Sequence, residues 1–317
     1  NEGKTVINNA TVKGKHGAVS GAETNDDQTT INGGSFELME NPGVSDHCTY
    51  CVSVIKGGSF TLGNNTDCGA QVFCESTIAN GYKAIEKDGK WVVVATANDA
   101  ASLATAVAKG GVIVLEGDIA LDETIVIPTG VTATLDLNGK AIVGRVPKSE
   151  GHVIEIRPGA TLKVIGGEIS STAANGGSAI YNAGTLEVDG TTIEGASVRE
   201  NEGWPSYPIN NYSDMTLKNV TITGYQGAIA CNSAGTTTLE NCTINKEYLN
   251  TSSHVFYING TDANVVVNSG TYTHKGMDGS LAYVIKGSIT VNGGTFSASN
   301  GGYGMAALAN GKIIVAD

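Results

Sequence analysis

The chain has 317 residues, a formal net charge of −12 and a pI near 4.8. An acidic chain repels phosphate backbones and anionic lipid, so we expect no nucleic-acid partner. No apolar run approaches the roughly 18 residues that a membrane-spanning helix needs, so we expect no membrane span in this fragment. The 43 glycines, the few Phe and Trp residues, and an apolar content of mostly Val, Ile, Leu and Ala favour narrow stacked strands with tight turns.

The first 77 residues contain a repeated phrase: an apolar residue, Asn or Lys, two glycines, Ser and Phe. It occurs at 31–36 and 55–60, and it closely matches 291–296 near the end of the chain. Residues 1–77 are therefore predicted to be the C-terminal coils of a first β-helix. Because the chain starts inside this pattern without an initiator Met, we expect an internal or processed piece of a longer protein.

Four cysteines lie close together in this first region: Cys48, Cys51, Cys68 and Cys74. Their spacing, with His47 beside the first, allows a zinc site but does not match a regular zinc ribbon. In a surface protein, two disulfide bonds explain the same residues, and buried free thiols are a further alternative. The four remain disulfide or metal candidates, and we assign no metal and no cofactor to the chain.

Residues 78–96 break the coil pattern and are predicted to form a hairpin and linker. Two apolar segments, 82–86 and 91–94, lie on either side of the Asp-Gly pair at 88–89, which is a turn signal for a β-hairpin.

A short helix is predicted next, at about 99–109. Asp99 or Asn98 can cap its first turn, and Gly110 lies where a helix ends. An amphipathic helix at this point would shield the open end of a solenoid. We therefore predict a second β-helix over 97–317, with this helix as its N-terminal cap.

A Thr-Leu phrase recurs along this second region, with a small residue before it and Gly or Asn after it. Steps of 22 to 31 residues separate its apolar positions, and a repeat of this size marks a solenoid of about 24 residues per coil. Each coil has two further short apolar segments, so three strands per coil predict an all-β, parallel β-helix solenoid. The positions taken as equivalent are 135, 162, 186, 217, 239, 265, 289 and 313.

Asparagines are frequent at the predicted turns of these coils. In a parallel β-helix such side chains stack and hydrogen-bond to the coils on either side, so a structural role is predicted for them. Cys231 and Cys242 lie at strand positions and are interpreted as small core residues. The ten asparagines concerned are Asn138, Asn182, Asn210, Asn211, Asn219, Asn232, Asn241, Asn259, Asn268 and Asn292.

The longest step, between Leu186 and Leu217, contains a charged and aromatic segment. An insertion into a regular solenoid maps to a loop that protrudes from one face. Aromatic rings stack on sugars, while Arg and carboxylates hydrogen-bond hydroxyl groups, so this loop is a candidate glycan-binding site. The alternative is that Trp204 packs over the coil beneath it and the charges are solvated. The candidate binding residues are Arg199, Glu200, Glu202, Trp204, Tyr207 and Tyr212.

No complete catalytic set is visible, so no catalytic residue is assigned. Glu200 and Glu202 are the only pair in that loop suited to glycosidase acid and base roles. Asp189, Glu194 and Asp214 are scattered and lack the carboxylate cluster of a calcium-dependent lyase.

The junction and the coils beside it resemble the right-handed, pectate-lyase-like parallel β-helix modules of multi-module surface proteins from gut bacteria. Related modules occur in bacteriophage virion appendages. The resemblance implies display on a surface and contact with glycans or host structures, without implying one reaction. The segments that carry it are Gly57-Gly58-Ser59-Phe60, Asn80-Gly81-Tyr82-Lys83-Ala84-Ile85, Trp91-Val92-Val93-Val94, Val112-Ile113-Val114-Leu115 and Leu135-Asp136-Leu137-Asn138-Gly139-Lys140.

From these observations we expect a non-enzymatic, adhesin-like β-helix module that recognises a carbohydrate or a host or bacterial surface. We expect an extracellular location, on a cell or virion surface, beside neighbouring modules of a longer chain. One alternative is a polysaccharide lyase or glycoside hydrolase built on the β-helix. The other is a bacteriophage capsid or tail appendage protein, for which a trimer is expected.

Overall fold

The structure is a computed structural model in which the chain divides into two compact units, Asn1–Thr96 and Ala97–Asp317. It is a parallel β-solenoid with coils of about 24 residues, which confirms the predicted fold class. The described residues are 5–14, 19–20, 29–38, 50–51, 54–61, 78–173, 175–197, 206–247, 253–277 and 279–316.

The first unit contains ten strands within its described residues. In chain order they are β1 Thr5–Ile7, β2 Thr11–Gly14, β3 Val19–Ser20, β4 Thr29–Ile31, β5 Ser35–Leu38, β6 Tyr50–Cys51, β7 Val54–Ile55, β8 Gly58–Thr61, β9 Tyr82–Lys87 and β10 Lys90–Ala97.

Stacked coils form the core of the first unit. Strands β1, β4 and β7 pair in parallel, as do β2, β5 and β8, so that Ile31 lies beside Ile55 and Phe36 beside Phe60. All four side chains are fully buried, and the two Phe rings stack with centroids 5.1 Å apart. The Gly-Gly-Ser-Phe phrase therefore marks equivalent positions in successive coils, because each ring covers the one before it.

A β-hairpin follows these coils. Strands β9 and β10 pair antiparallel, with Lys87 opposite Lys90. The two turn residues, Asp88 and Gly89, have φ values of 52° and 70°. Positive φ at both central residues is typical of the two-residue turn that an Asp-Gly pair favours.

The second unit begins with helix α1, Ala100–Lys109, whose N-cap is Asp99. The Asp99 carboxylate accepts a hydrogen bond from the backbone N–H of Ser102, and Gly110 ends the helix with φ 76°. Leu103 and Val107 lie on its buried face, which packs on the first coil. Within the described residues, no helix combines the length and the apolar character needed to cross a membrane.

Strands β11 to β33 follow α1 and build the coils of the second unit. They are β11 Gly111–Leu115, β12 Ile119–Leu121, β13 Ile125–Ile127, β14 Thr132–Asp136, β15 Ala141–Gly144, β16 Ile154–Ile156, β17 Thr161–Ile165, β18 Glu168–Ser171, β19 Ile180–Asn182, β20 Thr185–Asp189, β21 Thr192–Glu194, β22 Ile209–Asn211, β23 Met215–Lys218, β24 Thr221–Gly224, β25 Ile229–Cys231, β26 Gly235–Glu240, β27 Cys242–Lys246, β28 Phe256–Ile258, β29 Ala263–Val267, β30 Gly270–Lys275, β31 Ser280–Val291, β32 Thr295–Ser299 and β33 Tyr303–Val315.

These strands form three parallel sheets that run along the solenoid. Sheet I contains β11, β14, β17, β20, β23, β26 and β29, and sheet II contains β12, β15, β18, β21, β24, β27, β30 and β32. Sheet III contains β13, β16, β19, β22, β25 and β28. The long strands β31 and β33 continue from sheet III into sheet I. The core lies between the three sheets and is filled mainly by Ile, Leu and Val.

The register of sheet I corrects the positions that the sequence analysis took as equivalent. Leu135 pairs with Val164 and not with Leu162, and Leu186 pairs with Met215 and not with Leu217. Each strand carries two inward residues, so an alignment can slip by two residues and still match apolar positions. The first inward column is Ala133, Leu162, Leu186, Met215, Thr237, Val265, Ile289 and Ile313, and the second is Leu135, Val164, Val188, Leu217, Leu239, Val267, Val291 and Val315.

Asparagine ladders join successive coils. Asn182 donates to Asn211 at 2.7 Å inside the solenoid, while Asn241 donates to Asn219 at 2.8 Å on its surface. Asn292 donates to Asn268 at 2.9 Å. The asparagines in these hydrogen bonds therefore have the structural role that the sequence predicts.

We expect Asn211→Ala to lower the free energy of unfolding by about 2 kcal/mol, because it removes a buried amide that bonds three neighbours. Its Nδ2 donates to the Ser213 carbonyl and to Thr237 Oγ1, and its Oδ1 accepts from Asn182. Asn268→Ala is the matched control, since its ladder bond is exposed, and we expect a loss of about 0.5 kcal/mol or less. Equal losses in urea unfolding would contradict a special role for the buried ladder.

Candidate functional site

The connections that differ most in length between coils lie at one corner of the second unit, between sheets II and III. They range from 122–124 and 225–228 to the longest, 195–208. The predicted binding loop lies in this longest connection. Arg199, Glu200, Glu202 and Trp204 are outside the described residues. Tyr207 lies two residues before β22, and Tyr212 directly follows it. The insertion therefore leads into the outer face of sheet III.

The outer face of sheet III carries three columns of side chains. The central column is formed by the middle residue of each strand, whose neighbours on both sides are buried. A second column is formed by the residues three positions before the central ones in the sequence. The third column is formed by the residues two positions after the central ones. From β16 to β31 the rows are His152, Glu155 and Arg157; Ser178, Tyr181 and Ala183; Tyr207, Asn210 and Tyr212; Gly227, Ala230 and Asn232; His254, Tyr257 and Asn259; Ser280, Tyr283 and Ile285.

Aromatic and imidazole rings stack along this face in two groups. In the first, His152 lies 4.6 Å from Tyr181, which lies 5.0 Å from Tyr212. In the second, His254 lies 4.5 Å from Tyr283, with Tyr257 beside both. The separations of 4.5 to 5.0 Å match the roughly 4.8 Å between strands. The His152–Tyr181 and His254–Tyr283 rings lie face to face, at interplanar angles of 16° and 13°, whereas Tyr212 is tilted by 35° from Tyr181.

Both groups contain the same His-Ser-Tyr arrangement. The backbone N–H of Ser178 donates to Nδ1 of His152 at 3.1 Å, and the N–H of Ser280 donates to Nδ1 of His254 at 3.2 Å. Each His thus bonds the Ser and stacks on the Tyr of the next coil. The sequence analysis missed this repeat. Its signal is a His-Val pair just before a sheet III strand in one coil, followed in the next coil by a Ser that lies three residues before a Tyr.

The ring stacks are interrupted at the coil that contains β25. Gly227, Ala230 and Asn232 occupy its three outer positions, so no ring from these positions separates Tyr212, one coil before, from Tyr257, one coil after. We call the space between Tyr212 and Tyr257, with Asn210, Ala230 and Asn232 beneath it, the ring gap. The strands beside the two tyrosines, β22 and β28, are two coil spacings apart, or about 9.6 Å.

Tyr207 closes one end of the ring gap. A Cβ atom built on Gly227 would fall on the Cε1 and Cζ atoms of the Tyr207 ring, so this ring lies directly over the glycine. The ring centroid of Tyr207 is 6.2 Å from that of Tyr257, at an interplanar angle of 41°. The ring gap is thus covered where β25 begins, and Ala230 beneath it is buried, with 3% of its surface exposed.

Two amides form the polar part of the ring gap. Asn210 Nδ2 donates to Ser178 Oγ at 2.7 Å, and Asn232 Nδ2 donates to Asn210 Oδ1 at 3.3 Å. Among the described residues, Oδ1 of Asn232 accepts no hydrogen bond. A carbonyl acceptor and the second hydrogen of each amide are therefore available to a ligand.

Burial favours the neutral forms of His152, His254 and Tyr207 at this face. Burial, with the nearby His274 and Lys246, lowers the pKa of His254 to about 4. Burial also lowers the pKa of His152, against the opposing effect of Glu155. Burial raises the pKa of the Tyr207 hydroxyl. Glu155 and Arg157 form an ion pair in the row of His152, with 2.8 Å between Arg157 Nε and Glu155 Oε1.

Behind the face, Lys246 and His274 are paired residues of sheet II with no solvent exposure. Lys246 Nζ donates to the Lys275 carbonyl at 3.0 Å, and burial lowers its pKa to about 8. His274 Nε2 lies 2.8 Å from the Ser253 carbonyl, while its Nδ1 has no hydrogen-bond partner among the described residues. This buried basic pair lies near His254, because both residues depress the pKa of that imidazole.

The remaining predicted sites lie elsewhere or outside the described residues. Cys48, Cys68 and Cys74 are outside them, and Cys51 is described only as the last residue of strand β6. The described part of the chain contains no group of three or more His, Cys, Asp or Glu residues arranged to hold a metal ion.

Cys231 and Cys242 are free, buried thiols, as the sequence analysis interpreted them. Burial raises the pKa of the Cys231 thiol to about 11 and also raises that of Cys242. A thiol of raised pKa is a poor nucleophile, so both residues serve the core.

The three carboxylates considered for a lyase are used in structural hydrogen bonds. Asp189 accepts from Asn219, Glu194 accepts from the Tyr225 hydroxyl, and Asp214 accepts from the backbone N–H of Thr236. They do not form one cluster. Comparison of the chain with protein-family models, with curated proteins and with solved structures gave no match.

Proposed function

We propose that this protein is a non-enzymatic, surface-displayed recognition module that binds a glycan through the outer face of sheet III. The observation that carries this proposal is the ring gap, where two stacks of rings stop on either side of a coil with small and amide side chains. Binding sites for small ligands combine apolar walls with a few well-placed polar groups. The walls here are Tyr212 and Tyr257, and the polar groups are Asn210 and Asn232.

The chemistry of a sugar ring fits this arrangement. Its C–H faces pack against aromatic rings, and its hydroxyl groups both donate and accept hydrogen bonds, as the amides do. Tyr212 is 38% exposed, which leaves its ring accessible to a ligand. The proposal includes an extracellular location on a cell or virion surface, with neighbouring modules of a longer chain as structural partners.

We expect Asn232→Tyr to abolish glycan binding, because a ring at this position would stack on Tyr212 and fill the ring gap. Thr238→Tyr is the matched control, since Thr238 lies in the same coil on the outer face of sheet I. A glycan array with the unaltered protein identifies a binder, and calorimetric titration of both variants then measures it. Unchanged binding by Asn232→Tyr, with thermal melting that shows a folded protein, would sink the proposed site.

The same titrations distinguish the two other functions. Turnover of the bound glycan that is lost in Glu200→Gln or Glu202→Gln would replace binding by hydrolysis or lyase chemistry. A trimer in size-exclusion chromatography with light scattering would favour a phage appendage, whereas a bacterial surface module is expected to be a monomer.

A further inference from the structure

We infer that the second unit contains an acid-sensitive seam, where the connection 300–302 between β32 and β33 covers His274 and lifts away when this imidazole takes up a proton. The seam is a conformational device that is independent of the proposed glycan binding. Three features carry the inference: the burial of His274, the surroundings of its two ring nitrogens, and the glycine that covers one of them.

The ring nitrogens of His274 have room for one hydrogen only. The side chain is fully buried, and its Nε2 lies 2.8 Å from the Ser253 carbonyl, so Nε2 carries the hydrogen of the neutral ring. Its Nδ1 has no hydrogen-bond partner among the described residues. Both nitrogens of a protonated imidazole are donors, so a proton added at Nδ1 would be buried without an acceptor, which is costly.

The cover over Nδ1 comes from the connection that follows β32. A Cβ atom built on Gly302 would lie 2.5 Å from Nδ1 and 3.1 Å from Cε1, so the Gly302 backbone lies directly against this edge of the ring. The next residue, Tyr303, donates its backbone N–H to the Gly279 carbonyl at 2.7 Å. Gly279 itself lies against Nε2, because a Cβ atom there would fall on that nitrogen. Moving Gly302 and Tyr303 away from β30 therefore breaks one backbone bond and exposes Nδ1 to water.

The charged groups around His274 oppose a second positive charge while the seam is closed. Lys246 of β27 is its paired residue and is also fully buried. Burial lowers the pKa of His274, and the positive charge of Lys246 lowers it further, against the effect of the Ser253 carbonyl. His254, before β28, is a further base, since His274 lowers its pKa.

The carboxylate described at this corner is already paired. Glu247, beside Lys246 in β27, is joined to Lys275 at 2.7 Å. Strand β32 and the connection 300–302 contain no charged residue, so the cover brings no carboxylate to His274. Asp278, in the connection before β31, lies outside the described residues.

Acid therefore favours the open seam. Once the ring is hydrated, its pKa returns to about 6.5, whereas in the closed seam the pKa is lower. Between these two values the open form binds the proton and the closed form does not, so the opening equilibrium rises as the pH falls. From pH 7.5 to pH 5.0 the rise is at most about 30-fold. Because each coil of a solenoid contacts only its neighbours, this contact can open while the other coils stay folded.

Hydrogen exchange with mass spectrometry on the unaltered chain tests the seam at pH 7.5 and 5.0, after correction for the intrinsic effect of pH on exchange. In peptides that contain Tyr303, we expect opening to rise more than fivefold at pH 5.0. Protection over 132–171, in coils distant from His274, should change less than twofold. An equal change in both segments would show general destabilisation and overturn the seam, and so would no change in either.

Two histidine variants assign the effect to one ring. His274→Gln removes the titrating group and should abolish the pH effect on peptides that contain Tyr303. His254→Gln is the matched control, because Nδ1 of that imidazole accepts the backbone N–H of Ser280 and is not covered by Gly302. Its pH effect on the same peptides should remain. Loss of the effect in both variants, or in neither, overturns the role of His274.

A glycine pair tests the same contact without a change of pH. In Gly302→Ala the new methyl group would press on Nδ1, so opening at pH 7.5 should rise at least fivefold. Gly304→Ala is the matched control, since a Cβ atom there meets nothing within 4 Å, and its opening should change less than twofold. Equal opening in the two variants overturns the seam. If His274→Gln does not fold, as judged by its melting curve, this pair and the two segments of the unaltered chain decide the inference.

Discussion

Lowering the pH from 7 to 4 is expected to destabilise the second unit by about 3 kcal/mol through His254 alone. An unfolded chain binds a proton on each His near pH 6.5, whereas the folded pKa of His254 is about 4. Between these values the unfolded state takes up the proton and the folded state does not, so stability falls as the pH falls. The loss levels off below pH 4, where both states are protonated.

His274 acts in the same direction. Burial lowers its pKa, and the positive charge of the adjacent Lys246 lowers it further. Among the described residues, its Nδ1 has no hydrogen-bond partner. The acid transition should therefore be largest at the corner formed by β27, β28 and β30.

Denaturant midpoints at pH 7, 5.5 and 4.5 measure this effect. His254→Gln should reduce the slope of the midpoint against pH, because it removes one of the three imidazoles whose pKa is lowered by burial. Lys246→Met should also reduce this slope, because it removes a cation that lowers the pKa of both His254 and His274. A slope that is the same in all three proteins would show that the acid effect originates in other groups, such as His152 or the carboxylates.

Gly224→Ala is expected to cost about 3 kcal/mol or more, because the chain has no space for one additional methyl group at the corner. The new Cβ would lie 2.6 Å from the carbonyl carbon of Gly227 and 3.0 Å from Cα of Ala228. Both contacts are backbone atoms of the four-residue connection that leads into the ring gap. The variant should therefore melt earlier and also lose glycan binding.

Gly117→Ala is the control for the loss of a glycine. Its nearest atom would be the Asn98 carbonyl oxygen at 3.9 Å, so a methyl group fits and the change should stay within about 0.5 kcal/mol. Thermal melting followed by circular dichroism compares the two. Similar melting temperatures for both variants would contradict the close approach at the corner.

Much of the architecture could be predicted from local patterns. The Gly-Gly-Ser-Phe phrases coincide with coils whose Phe36 and Phe60 rings stack, and Asp99 and Gly110 cap the helix that was expected at about 99–109. These features depend on short-range chemistry: turn conformation, helix capping and the alternation of side chains along a strand. The exact register was harder to predict, because an alignment that slips by two residues still places apolar residues on the inward face of each strand.

The candidate site was only partly predictable. The long insertion pointed to Tyr207 and Tyr212, and both lie at the ring gap. His152, Tyr181, His254, Tyr257 and Tyr283 were not singled out, because residues that stack are separated by an entire coil in the sequence. Their meeting depends on the register of sheet III, which the sequence pattern did not specify to the residue.

The sequence by itself determined the solenoid and the helix that begins the second unit, since both follow from the period, capping and turn chemistry of neighbouring residues. Only the tertiary structure decided which side chains share a row. It placed Gly227, Ala230 and Asn232 between two stacks of rings, and it laid Tyr207 across the glycine. The reason is physical: a gap is made by small residues beside large ones, and which residues lie beside each other is set by the pairing of coils.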